Sequence, residues 1–261
     1  MGKIFLKGKA ASRIIEGERK DIILLDNRKF EKFTPHVLRL GDICLPSKEV
    51  EALAAVFDLS GFTNFCSKAD PHLTVPEYLS GFLYWLFDEI RTEFTAKAYR
   101  KSKALWAELP FLAKFLGDGI LFLWDTSNMT ETRICNIVVS LLCICREYRN
   151  TFYREIKMVV GSPPKVLRCG IARGRVFSVG NGQDYVGSCI NIASRLQKLS
   201  DLTFCFSQRG FDIEQDMEEV NRRNFVEKLV TLRGIGEELV WVLKKEFDSL
   251  LDEEKTLFRK P

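Results

Sequence analysis

Residues 111–124, FLAKFLGDGILFLW, constrain the fold most, because only Gly117-Asp118-Gly119 separates two strand-like apolar runs. A gap that short, with glycine on both sides, reads as an antiparallel hairpin. The pattern recurs in VEKLVTLRGIGEELVWVL, 226–243, and VLRCGIARGRVFSVG, 166–180, reads as a further hairpin pivoting near Gly174. LAAVF, 53–57, is a buried-strand run that stops at the turn residues of DLSGFTNF, and TFCFS, 203–207, is another strand.

Helices are expected between these strands. Thr74 followed by Glu77, with Pro76 in the first turn, reads as a capping box. Leu79, Phe82, Leu83, Leu86, Phe87, Ile90 and Phe94 then recur at three and four. Further helices are expected over Arg133 to Phe152, Asn191 to Lys198 and Asp212 to Glu219, and the basic stretch 95–110 reads as a loop or short helix. The sum is an α+β chain, a ferredoxin-like core in which an antiparallel sheet carries helices on one face. Residues 1–48 form an arm with no assigned chemistry, 49–245 run without a linker as one domain, and 246–261 are a tail.

Composition excludes several classes. The 261 residues are 46% hydrophobic and 28% charged, which suits a chain with a full core, and 39 Lys and Arg against 35 Asp and Glu leave only +4. That argues against nucleic acid or an anionic membrane as the main partner. The run Ile134 to Cys145 is short of the roughly 20 residues a bilayer needs. The amino terminus has no secretory core, and Leu6 stands where a myristoylation signal wants Ser or Thr, so a cytoplasmic protein is expected. Eight cysteines without paired CxxC spacing read as core thiols in a reducing compartment. His36 and His72 alone leave little for a histidine base or a multi-histidine metal site.

The sequence has no GxxxxGK[ST] and no GxGxxG after a strand, so P-loop and Rossmann sites are excluded. Two acidic positions stand out. Asp58 ends a strand and Asp118 sits in a hairpin turn. If those strands are neighbours, two carboxylates share one sheet edge, the donor set that holds Mg²⁺ or Mn²⁺ for phosphoryl chemistry. Each acid alone also suits a purely local role. The turn SGFT adds backbone N–H groups of the kind that cradle phosphate oxygens. Asn191 and Arg195, four apart at a helix start, face the same way, and Arg233 lies in the turn LRGIG.

Together FDLSGFT (57–63), KFLGDG (114–119), CGIARGRVFSVG (169–180), DYVGSCINIASRL (184–196) and LRGIG (232–236) resemble, in order, the class III nucleotide cyclases. The resemblance implies two divalent metal ions, Mn²⁺ or Mg²⁺, on Asp58 and Asp118 with help from the Leu59 carbonyl. Asn191 would orient the ribose, and Arg195 would stabilise charge on the α-phosphate. Arg233 stands where the family usually has a phosphate-binding lysine. Gly61, Phe62 and Thr63 would line the substrate site, with Phe62 at the base. Lys114 and Asp184 occupy the positions that read the purine edge in adenylate-forming members. The family's sites form between two copies, so a homodimer is implied, acting on a nucleoside triphosphate.

The stand-alone domain, the run 105–125 and the segment 195–212 are similar to the pyrimidine cyclases of bacterial Pycsar anti-phage defence, whose cyclic UMP or cyclic CMP activates a separate effector. The resemblance thus leads to a uridylate cyclase, with an adenylate cyclase as the alternative. Silent cyclase-like regulators typically lose a metal aspartate or the arginine, and this chain keeps them.

Overall fold

The structure, a computed structural model, describes residues 9–15, 18–67, 70–99 and 102–261. The first residues, with Leu6, and Arg100 with Lys101 of the basic stretch lie outside the described residues. In chain order the first elements are β1 (Lys9–Ile15), β2 (Glu18–Leu24), α1 (Asn27–Phe30), a 3-10 turn (Pro35–Leu38), β3 (Glu49–Ser60), α2 (Phe62–Cys66) and α3 (Pro71–Glu93). Then come β4 (Thr95–Ala98), β5 (Lys103–Leu105), β6 (Leu112–Phe115), β7 (Gly119–Asp125), α4 (Glu131–Glu147), a π turn (Tyr148–Phe152) and α5 (Tyr153–Val160). The remainder is β8 (Val166–Val179), β9 (Asp184–Val186), α6 (Ser188–Leu196), β10 (Phe204–Ser207), α7 (Ile213–Asp216), α8 (Glu219–Arg222), β11 (Phe225–Leu232), β12 (Gly236–Leu243), α9 (Lys244–Ser249), α10 (Asp252–Lys255) and β13 (Phe258–Arg259).

The chain divides into two units: Glu49–Val176 with Gly187–Pro261, and the described part of 1–48 with Phe177–Val186. In the larger unit one sheet runs in the order β13-β11-β12-β10-β8-β3-β7-β6. The hairpins β6–β7 and β11–β12 close where glycine predicts, with Phe115 opposite Ile120 and Leu232 opposite Gly236. The expected hairpin at Gly174 does not form. Residues 166–179 are one unbroken 14-residue strand, and a Cβ at Gly174 would meet Cys189 of α6 at 3.5 Å, so this glycine sits under a helix and not in a turn. The sheet is mixed, because β10 runs parallel to β8 with Phe204 opposite Cys169.

Both long helices exceed their sequence signals. α3 starts at Pro71 after the N-cap Asp70, with proline in the first turn, and Pro76 lies inside it. Thr74 is therefore no cap; its hydroxyl donates back to the Asp70 carbonyl at 3.2 Å. α4 continues through the π turn into α5, past the expected end near Phe152. Tyr148, Phe152, Ile156 and Val160 all point inward, a four-residue spacing that drifts by about 40° per step on an α-helix, and the π turn takes up part of that drift. The basic stretch after α3 is a ribbon, β4 against β5, with Ala98 opposite Lys103.

Alternation along β3 sorts its side chains. Leu53, Ala55, Phe57 and Leu59 join the core that α3 and α4 cover. There Tyr78 and Tyr148 share a hydroxyl hydrogen bond of 2.7 Å, and Tyr148 donates to the Pro164 carbonyl at 2.6 Å. Ala52, Ala54, Val56 and Asp58 point to the other face. α6 packs on that face, where Gly170 comes so close that a Cβ would lie 2.2 Å from the Ala193 carbonyl oxygen. The helices thus flank both faces, because small residues on β3 and β8 make room for a helix where one covered face was expected. No helix among the described residues is long and apolar enough to cross a membrane, and all eight cysteines are free thiols.

In the smaller unit β1 and β2 pair antiparallel, from Lys9 opposite Leu24 to Ile15 opposite Glu18. Sequence reading expected a weakly specified arm or helix there. Neither KAASRII nor ERKDIIL alternates apolar with polar residues, so the strand period is absent from the sequence there. β9 pairs with the end of β8, Phe177 opposite Val186 and Val179 opposite Asp184.

Candidate active site

The β3–β7 ladder brings the two acids together. Asp58 lies opposite Gly119, one residue after Asp118, whose carbonyl accepts the Leu59 N–H at 3.0 Å. The crossing needs glycine: a Cβ at residue 119 would lie 2.2 Å from the Phe57 carbonyl oxygen. Asp58 and Asp118 are both half-buried. Burial pushes the Asp58 carboxyl above its ordinary value and the Asp118 charge adds to the rise, while Lys198 and Arg168 oppose it.

Two carboxylates placed so that the charge of Asp118 helps to raise the proton affinity of Asp58 are a natural seat for a divalent cation. Among the described residues no three His, Cys, Asp or Glu side chains gather at one point. A cation on Asp58 and Asp118 would therefore complete its shell with a backbone carbonyl such as that of Leu59, with water and with ligand oxygens, as hard cations of phosphoryl chemistry do. The donors present fit that group.

A second cluster forms where α6 meets the β11–β12 turn. Arg195 Nε donates to the Arg233 carbonyl at 2.6 Å, and Nη1 donates to the Asn191 carbonyl at 3.3 Å. Two of the five guanidinium N–H groups are thus spent on fixing the side chain, and the others point away from these anchors. Asn191, Arg195 and Arg233 are all exposed, so this is a rigid cationic corner open to an anionic ligand.

The other sequence-derived positions are spread more widely. Gly61, at φ +83, starts α2 without a side-chain cap, which leaves the first N–H groups of Phe62, Thr63 and Asn64 without intrahelical partners. Phe62 is half-buried, its ring 6.1 Å from Phe65 and 6.2 Å from Tyr78, so it is backed by the core. Lys114 lies opposite Leu121 on β6. Asp184 begins β9 in the smaller unit and accepts from the Tyr185 N–H at 2.9 Å. Sequence reading missed Arg168, which hydrogen-bonds the Ser200 carbonyl at 3.1 Å and pairs with Asp201 at 3.2 Å. Its Nε is buried without a partner. The available signal was a cation between the buried Leu167 and Cys169 in the first half of β8.

The chain matches no protein-family model, and no curated protein matches it in sequence. In structure it is similar to the guanylyl cyclase Cya2, with TM-score 0.57 and 17% identity over 76% of this chain and 94% of that one. It is equally similar to the adenylyl cyclase CyaB from P. aeruginosa, with TM-score 0.57 and 13% identity over 76% and 96%. The fold is that of the class III nucleotide cyclases. A third class III domain, the guanylate cyclase domain of RhGC from Catenaria anguillulae in complex with GTP, matches with TM-score 0.50 and 18% identity over 76% and 98%.

Proposed function

We propose that this chain is a metal-dependent nucleotide cyclase that converts a nucleoside triphosphate, UTP by preference, into the 3′,5′-cyclic nucleotide and pyrophosphate. The observation that carries the reading is the meeting of Asp58 and Asp118 at the β3–β7 crossing, where Asp118 helps to raise the Asp58 pKa. Two divalent ions, Mn²⁺ or Mg²⁺, on Asp58, Asp118 and the Leu59 carbonyl would supply the Lewis acidity that ionises the ribose 3′-hydroxyl and charge for the departing pyrophosphate. The rest falls to the chain. The 3′-oxygen attacks the α-phosphorus in line as the bond to the β-phosphate oxygen breaks, and Arg195 stabilises the charge that grows on the α-phosphate oxygens. Its two backbone anchors hold it ready, so little reorganisation is needed at the moment of reaction. Asn191 orients the ribose, Arg233 binds phosphate, and the open first turn after Gly61, with Thr63, faces phosphate oxygens.

The acid pair on β3–β7 and the corner where Arg195 of α6 is anchored to Arg233 of the β11–β12 turn would be shared across a head-to-tail homodimer, as the resemblance implies.

For the base, Lys114 donates to a uracil carbonyl and Asp184 accepts from N3–H, with Phe62 as the wall. Cytosine has no N3–H and fits this pair less well. A matched buried hydrogen-bond pair is worth about 1–3 kcal/mol, roughly tenfold or more in selection. The same pair reads the purine edge in adenylate-forming members, so ATP is the competing substrate. A cyclic pyrimidine product would act on a separate effector in anti-phage defence. Comparing kcat/KM for the two nucleotides under identical metal conditions tests the base: UTP is expected to lead, and a higher value for ATP makes the enzyme an adenylate cyclase.

A further inference from the structure

The stretch between the 3-10 turn and β3 is laced to the loop that delivers Asp184. That loop, Gly180-Asn181-Gly182-Gln183, joins Val179 to Asp184, which face each other across β8 and β9. Its first half is held from two sides by the arm. The Asn181 N–H donates to the Leu40 carbonyl at 3.1 Å, and the Asn181 side-chain oxygen accepts the Asp42 N–H at 3.3 Å. Further along, the Ser178 N–H donates to the Lys48 carbonyl at 2.9 Å, and the Lys48 N–H donates back to the Ser178 hydroxyl at 2.8 Å.

Two glycines make this lacing possible, each by lacking a side chain opposite the other strand of the contact. A Cβ at Gly180, φ +59, would lie 1.8 Å from the Leu40 carbonyl oxygen, and one at Gly41, φ +74, would lie 2.7 Å from the Asn181 side chain. Between the two anchor points the arm spans a cavity of about 570 Å³ lined by Leu45, Pro46, Ser47 and Tyr185. A hairpin held to a remote segment by two hydrogen bonds at its tip and two more on the strand that leads into it is restrained in how it aims the residue that follows.

We propose that residues 40–48 are a positioning strap for Asp184, and that the chain's own amino-terminal arm thereby sets base selectivity. This rests on the assignment of Asp184 as a base-reading residue. Gly180 and Asn181 are positioning residues: they act through Asp184 and carry no chemistry. The strap ties substrate choice to whatever occupies or displaces the arm, so an arm released from the loop yields an enzyme that still cyclises and discriminates less.

The full-length protein tests this with Gly180→Ala, which drives a methyl group into the Leu40 carbonyl, and Asn181→Ala, which only removes the acceptor for the Asp42 N–H. Amide hydrogen exchange at Asp42, Lys48 and Asn181 is read beside kcat/KM for UTP and ATP. The expected result is faster exchange at these amides in both variants. The UTP-to-ATP ratio should fall by about threefold or more through KM, with kcat for the better substrate little changed. Asn181→Asp, which keeps the acceptor, should stay near wild type in both readouts. Faster exchange with an unchanged ratio overturns the strap as a selectivity element while leaving the cyclase reading intact. Unchanged exchange in both variants overturns the strap itself. A wild-type protein that cyclises no nucleotide removes the selectivity half along with the proposed function, and the exchange data then stand apart from that failure.

Discussion

Burial and the neighbouring Asp118 both favour the neutral form of Asp58, so its folded pKa lies above its unfolded one. The stabilisation tied to this shift is fully present below the unfolded carboxylate range and is lost as pH rises through the folded value. At neutral pH the ionised acid therefore destabilises the metal-free chain. Asp58→Asn should raise the Tm of metal-free protein at pH 7, and the gain should shrink towards about pH 4. Calorimetry across that range reads it, and an unchanged or lower Tm at pH 7 contradicts the coupling. The same position should be indispensable for turnover: Asp58→Ala or Asp118→Ala is expected to cost on the order of a hundredfold or more in cyclisation. Full turnover by either folded variant at saturating Mn²⁺ removes the two-carboxylate assignment. Both acids stood out in the sequence because Asp118 lies between two glycines and Asp58 follows an apolar run just before the turn residues SGFT, although the strand carries on through Asp58 to Ser60. Arg168 did not, since its effect on Asp58 depends on β8 lying next to β3, a long-range pairing that no local pattern encodes.

Gly170 and Gly174 sit on the same strand and predict opposite outcomes. A methyl group at Gly170 would lie 2.2 Å from the Ala193 carbonyl, while one at Gly174 would meet Cys189 at an ordinary 3.5 Å. Gly170→Ala should lift α6 from the sheet, at about 1–3 kcal/mol in stability, and loosen the Arg195–Arg233 bond that α6 aims. Gly174→Ala should be neutral or stabilise by about 0.5 kcal/mol, as expected where a strand interior loses a glycine. Equilibrium denaturation separates them, and equal costs at the two sites contradict the packing described. This pair also shows where sequence reading stopped. Gly117 and Gly119 flank a charged residue between two apolar runs, and the hairpin forms there. Gly174 sits in a similar local pattern, yet the strand runs straight through, because the glycine answers a helix 15 residues later in the chain. Composition at a turn and composition under a helix look alike until the partner is known. For the same reason the start of α3 was misassigned: Thr74 and Glu77 have capping-box spacing, but Asp70 and Pro71 open the helix a turn earlier.

Across the whole molecule the acid pair lies at the β3–β7 crossing and the cationic corner lies where α6 meets the β11–β12 turn, and the proposed function shares them between two copies of the chain. Asp58→Ala mixed with Arg195→Ala should regain activity, since a mixed dimer carries one site with both defects and one with neither, up to about a quarter of the wild-type value if subunits exchange freely. A mixture that exchanges subunits and stays inactive rules out the shared site. The central claim, a nucleotide cyclase whose chemistry runs through Asp58 and Asp118, is met most directly by incubating the protein with UTP, CTP, ATP and GTP separately in Mn²⁺ and identifying the products by mass. The account predicts a 3′,5′-cyclic nucleotide with equimolar pyrophosphate, most from UTP, and about a hundredfold less or lower still from the Asp118→Ala variant. Folded wild-type protein that yields no cyclic product from any of the four, or an Asp118→Ala variant that yields as much as wild type, would contradict it.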